Sequence, residues 1–116
     1  MTGRFVILQH DHPFLHWDLL LEAANSARCW RLLREPCCGE PIASEPLPAH
    51  RLLYLDYDGP LTGNRGTVRR VVAGLHVVVE SSAEDLHIEF THNDAFASGR
   101  LRILNDHRQF WTFDAV

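Results

Sequence analysis

Apolar residues in this chain recur at every second position, and that period limits what it can fold into. "LHWDLLLE" (15–22) sets Leu15, Trp17, Leu19 and Leu21 on one face and His16, Asp18, Leu20 and Glu22 on the other. "LHIEFT" (86–91) divides Leu86, Ile88 and Phe90 from His87, Glu89 and Thr91 in the same way. Alternation of this kind belongs to a pleated strand with one face buried. "RFVILQ" (4–9) reads as a buried strand, and further strands are expected over 28–34, 51–59, 67–72 and 75–80. "RLRILN" and "QFWTF" supply the last ones. Gly39 with Pro36, Pro41, Pro46 and Pro48 predicts a loop from 35 to 48, and Gly74 predicts a turn between two strands. About eight short strands at this spacing predict an all-β fold, an antiparallel barrel or sandwich with at most a short helix.

Length and charge narrow the function classes. The 116 residues fit a single domain over 1–116 with one core. No apolar run approaches the roughly 20 residues needed to cross a bilayer. The opening "MTGRFVILQH" lacks a cleavage site and reads as a first strand, so a soluble, cytoplasmic protein with no membrane partner is expected. Three cysteines, of which Cys37 and Cys38 are adjacent, argue against a disulfide framework and for reduced thiols in or near the core. A net charge of −4 argues against a broad phosphate-neutralising surface. Arg69 with Arg70, and Arg100 with Arg102, read as solvated strand faces.

One stretch carries chemistry. "QHDHPFLHWDLLLE" (9–22) crowds His10, His12, His16 and Asp18 together. His16 and Asp18 lie two apart on a strand and leave the same face. A tight connection through "DHPF" returns the chain so that His10 can join them. By pattern alone these residues are either a polar strand face or a facial three-ligand site, two imidazoles and a carboxylate, suited to Mn²⁺, Fe²⁺ or Zn²⁺. His12, His76, His87, His92 and His107 read as ordinary surface or hydrogen-bonded histidines.

These residues carry a resemblance. "FVILQHDHPFLHWDLLLE" resembles the opening of the 3′-phosphoesterase domain of bacterial and archaeal DNA ligase D, through His10, His16, Asp18 and Glu22. The likeness continues through Trp30 and Pro36, then through "HRLLYLDYDGPL" with His50, Tyr54, Asp56, Tyr57, Asp58 and Gly59, and into the closing "SGRLRILNDHRQFWTF". It covers nearly the whole chain.

The resemblance implies a small β-barrel whose polar concave face holds a Mn²⁺ site, with Zn²⁺ or another divalent metal as the alternative. It implies removal of 3′-terminal ribonucleotides or 3′-phosphates from DNA or RNA, in repair by non-homologous end joining. His10, His16 and Asp18 would ligate the metal, His50 would contact the scissile phosphate or act as general acid, and Tyr54 would line the site. His50 and Tyr54 share a face if one strand begins at His50. Arg34 would take the place of a family lysine. Nucleic-acid 3′ ends are the implied partners, with an end-joining ligase or polymerase delivering them to a stand-alone domain. Leu20 departs from the family, which carries an arginine two residues after the ligand aspartate, and the acidic end "WTFDAV" lacks a terminal lysine. Those departures keep two other readings open: a non-catalytic relative that binds a metal or a nucleic-acid end, and a hydrolase of small phosphodiesters.

Overall fold

The computed structural model describes residues 2–116. Nine strands follow one another: β1 (Thr2–His10), β2 (His16–Ala23), β3 (Ser26–Leu32), β4 (Ile42–His50), β5 (Gly59–Pro60), β6 (Thr67–Ser81), β7 (Asp85–Thr91), β8 (Phe96–Ile103) and β9 (Gln109–Ala115). A single 3₁₀ turn, Leu52–Leu55, separates β4 from β5. Eight strands pair antiparallel in the order β1-β2-β3-β4-β9-β8-β7-β6, and β6 pairs back onto β1. The sheet therefore closes into a barrel, which removes the free edges an open sheet would expose. The two-residue β5 lies beside β6 as an extra strand.

The alternation decides what fills the barrel. Phe5, Ile7, Leu19, Leu21, Trp30, Leu32, Ile88, Trp111 and Phe113 point inward and are buried. Full burial of such side chains stabilises by roughly 1.5–3 kcal/mol each. The other face of β1, β2, β3 and β6 is covered as well. Val6, Leu8, Leu20, Ala27, Cys29 and Val68 form a second apolar cluster with Leu55, under a roof that contributes Tyr54, Tyr57 and Leu61. Phe5, Val6, Ile7 and Leu8 are all buried for this reason, and their unbroken apolar run is the sequence trace of a strand covered on both sides.

Three expectations need correction. The segment 51–59 is not a strand. It forms the roof, where a 3₁₀ turn brings Leu52 and Leu55, three apart, to the same side. The loop expected over 35–48 ends at Ile42, where β4 begins. Pro46 and Pro48 fit there because β4 pairs with β9 only through Ser44, so its later half has an open edge that needs no N–H. Gly74 is not a turn but an interior residue of β6. A Cβ at that position would run into the carbonyl oxygens of Thr91 and His92, so glycine there permits a close backbone approach. Of the cysteines only Cys29 is buried, and Cys37 and Cys38 are exposed. Burial pushes the Cys29 thiol pKa up, with Asp18 acting in the same direction.

Candidate metal centre

The β1–β2 hairpin builds the centre. Its register sets His10 directly opposite His16, with their rings 4.9 Å apart. Asp18, two residues along β2, leaves the same face as His16. One donor atom from each of His10, His16 and Asp18 can be chosen so that all lie within 4.8 Å of one another. His16 Nε2 stands 3.1 Å from Asp18 Oδ1 and 3.2 Å from Oδ2. His10 Nδ1 stands 3.4 Å from Oδ2. His16 and Asp18 are buried and His10 is half-buried.

The remaining ring nitrogens fix the tautomers. His16 Nδ1 lies 2.9 Å from the Phe14 carbonyl oxygen, and His10 Nε2 lies 2.8 Å from that of Arg65. A carbonyl only accepts, so both nitrogens carry the proton. Neutral rings then turn lone pairs from His16 Nε2 and His10 Nδ1 towards a carboxylate, an arrangement that asks for a cation. Asp18 Oδ1 is shut from solvent and receives no hydrogen bond. Without a metal the cation is a proton. Burial lowers the His16 pKa, but the hydrogen bond and charge of Asp18 outweigh it and the net shift is upward. Imidazoles anchored through one nitrogen to backbone carbonyls, with the other nitrogen presented beside a carboxylate, are arranged as metal ligands usually are. The residues present fit a divalent ion.

His10 and Asp18 of this centre line a cavity of about 260 Å³, together with Arg31, His50, Tyr54, Arg65 and His12 and the apolar Leu8, Leu61 and Val68, while His16 is buried beside them. The cavity lies on the outer side of the β1–β2–β3 wall, beneath the roof. That corrects the expected concave placement, because the barrel interior is filled by apolar side chains. His50 and Tyr54 do meet there, with rings 5.9 Å apart, although they do not share a strand. His50 ends β4 and Tyr54 belongs to the 3₁₀ turn. His50 Nδ1 donates to the Pro48 carbonyl at 3.0 Å, leaving Nε2 as its free nitrogen.

Arg34 stays outside the cavity. Its guanidinium donates to Glu40 and to the Pro41 carbonyl on an exposed turn. Leu20 is fully buried in the second cluster. Two cavity residues, Arg31 and Arg65, were not singled out from the sequence, and His12, expected to be an ordinary histidine, lines the cavity as well. Arg31 pairs in register with Asp18, and counting back from the Ala23–Ser26 turn would have found it. Arg65 and His12 lie on connections, where no periodicity places them. His76 is buried at the Arg4 carbonyl, and burial lowers its pKa. No family model and no curated protein matches this chain.

Proposed function

We propose that the protein is a divalent-metal-dependent phosphoesterase that heals 3′ ends of DNA or RNA, releasing a 3′-terminal ribonucleotide or a 3′-phosphate. The observation that supports it is the convergence of His16 Nε2, His10 Nδ1 and Asp18 at a cavity lined by His10 and Asp18 together with His50, Tyr54 and two arginines. Mn²⁺ is the metal we assign, with Zn²⁺ the alternative, since both accept imidazole and carboxylate ligands. When bound, such an ion supplies Lewis-acid polarisation of phosphoryl oxygens.

The chain's own groups do the rest. His10, His16 and Asp18 bind and orient the ion, each imidazole held in its tautomer by a backbone carbonyl. His50, anchored through Nδ1, leaves Nε2 free, and its imidazolium form would give the leaving oxygen a proton from that nitrogen. Tyr54 places its ring against His50 and limits how that imidazole rotates. Leu8, Leu61 and Val68 exclude water from one wall, which strengthens the electrostatics of the centre. A small phosphodiester is the second reading, favoured by the modest cavity and the net charge of −4.

The test is Mn²⁺-dependent processing of a labelled primer–template ending in one ribonucleotide, beside His10→Ala and His50→Ala. Loss of the terminal nucleoside and then its phosphate is expected, abolished in both variants, with His50→Ala still taking up Mn²⁺ by calorimetry. No cleavage by a protein that binds Mn²⁺ would overturn the end-healing reading, and cleavage of mononucleotide esters alone would favour the second.

A further inference from the structure

All eleven lysine-plus-arginine positions of this chain are arginines, and most have visible occupations. Arg4 hydrogen-bonds Glu22 and Asp56, Arg34 bonds Glu40 and Arg108 bonds Asp106, while Arg100 stands exposed 3.6 Å from Asp85. Arg31 differs. It stands on β3 directly opposite Asp18, its side chain is 24% exposed, and its ion pair to Glu45 is 3.7 Å long, beyond hydrogen-bond length. Its Nε is shut from solvent and has no partner. A guanidinium offers five donors in a planar fork, and a donor shut off from water is costly to leave without a partner.

The neighbouring cation is fixed from the other side. Arg65 donates Nε to the Thr62 carbonyl at 2.8 Å and Nη2 to the Thr62 hydroxyl at 3.1 Å, which holds its guanidinium at the cavity rim. Its own carbonyl orients His10. The two arginines therefore come from separate segments, β3 and the β5–β6 connection, onto the same cavity as His10 and Asp18.

We infer that Arg31, seconded by Arg65, is the anion-binding group of this cavity and takes the phosphoryl group of the substrate. The inference rests on the phosphoester reading and names the residues that hold its substrate. The fork of Arg31 suits two oxygens of one phosphoryl group, a geometry that a lysine ammonium does not match. Glu45, 3.7 Å away, and the Phe14 ring, 5.3 Å from the guanidinium carbon, keep Arg31 beside the cavity.

Inorganic phosphate is the probe, titrated by calorimetry into the protein with Mn²⁺ and without it. Arg31→Met keeps the apolar stem against Phe14 and removes the donors. It is expected to weaken phosphate binding about 10- to 100-fold, the range for hydrogen bonds to a charged group, with melting temperature and Mn²⁺ uptake unchanged. Arg31→Lys should restore part of the affinity, and Arg65→Met should weaken binding less, since two of its donors stay on Thr62. On a 3′-phosphorylated oligonucleotide, Arg31→Met should raise KM more than it lowers kcat. Equal phosphate affinity in parent and Arg31→Met, or no phosphate binding by the parent, overturns the inference. Turnover that is indifferent to Arg31→Met sinks this inference while leaving the phosphoesterase reading intact. Phosphate binding lost in Arg31→Met, in a protein that cleaves no ester, does the reverse.

Discussion

Replacing Asp18 by asparagine keeps the shape of the side chain, removes its charge, and separates a metal site from a structural ion pair. Asp18 is 4% exposed and faces His16 Nε2 at 3.1 Å and His10 Nδ1 at 3.4 Å. Each imidazole spends its other nitrogen on a backbone carbonyl. Without a cation, protonation relieves the facing lone pairs, and Asp18 raises the His16 pKa against the opposing effect of burial.

A histidine whose folded pKa is raised stabilises the fold below its unfolded value, near 6.5, and that contribution is lost as pH rises through the folded value. In Asp18→Asn the new side-chain amide can donate an N–H to the neutral His16 Nε2, which removes this dependence. In the metal-free state at pH 6 the parent should be the more stable by about 1–3 kcal/mol, the range for a hydrogen bond to a charged group. At pH 9 the two should be level, or the order reversed. In a domain of this size 1 kcal/mol moves the melting temperature by roughly 3–5 °C.

Mn²⁺ gives the second readout. At 100 times its Kd it should stabilise the parent by about 2.7 kcal/mol, roughly 8–13 °C on the same scale, and the asparagine variant by almost nothing. Calorimetric melts at pH 6 and 9, with and without Mn²⁺, read both effects. A structural role without a metal would instead leave the parent indifferent to Mn²⁺, and a loss of about 3–5 kcal/mol in Asp18→Asn at both pH values would mean that His16 protonation does not set it. Either outcome refutes the reasoning.

Two further substitutions probe the surroundings of the site. Leu20→Ala removes a fully buried side chain under the roof and should cost about 2–5 kcal/mol in urea unfolding, with weaker Mn²⁺ uptake because the roof leads into the β5–β6 connection, whose Arg65 carbonyl orients His10; a cost below about 1 kcal/mol would mean that the roof is not packed on Leu20. Arg34→Ala should leave KM and kcat unchanged and stability within about 0.5 kcal/mol, since its guanidinium is turned to Glu40 and Pro41. A loss of turnover there would place Arg34 at the substrate after all.

The period-two pattern was enough to specify an all-β chain, because apolar residues two apart can share only a strand face. It was enough, too, to put His16 and Asp18 side by side with His10 at the end of the preceding strand, since a hairpin with a short connection has few registers. Where glycine and proline served as punctuation, the reading failed. Gly74 is used for close approach and Pro46 and Pro48 for an open edge, and a single residue type does not say which use applies. The alternation over 51–59 failed for a different reason: a roof packed on a second apolar cluster needs buried residues at intervals much as a strand does.

Closure of the barrel depends on β6 returning to β1 across more than fifty residues of chain, a pairing that no local signal encodes. The side of the wall on which the site lies was also beyond the sequence. His10, His16 and Asp18 had to face either the barrel interior or the outside, and alternation is symmetric between the two. The apolar fill of the interior and the roof over the outer face decided it. Arg31, Arg65 and His50 reach the same cavity from three separate segments. The sequence by itself determined most of the strands and the grouping of His10, His16 and Asp18, both local properties of spacing. Only the tertiary structure decided which cations stand over that triad, because that depends on how distant segments close around it.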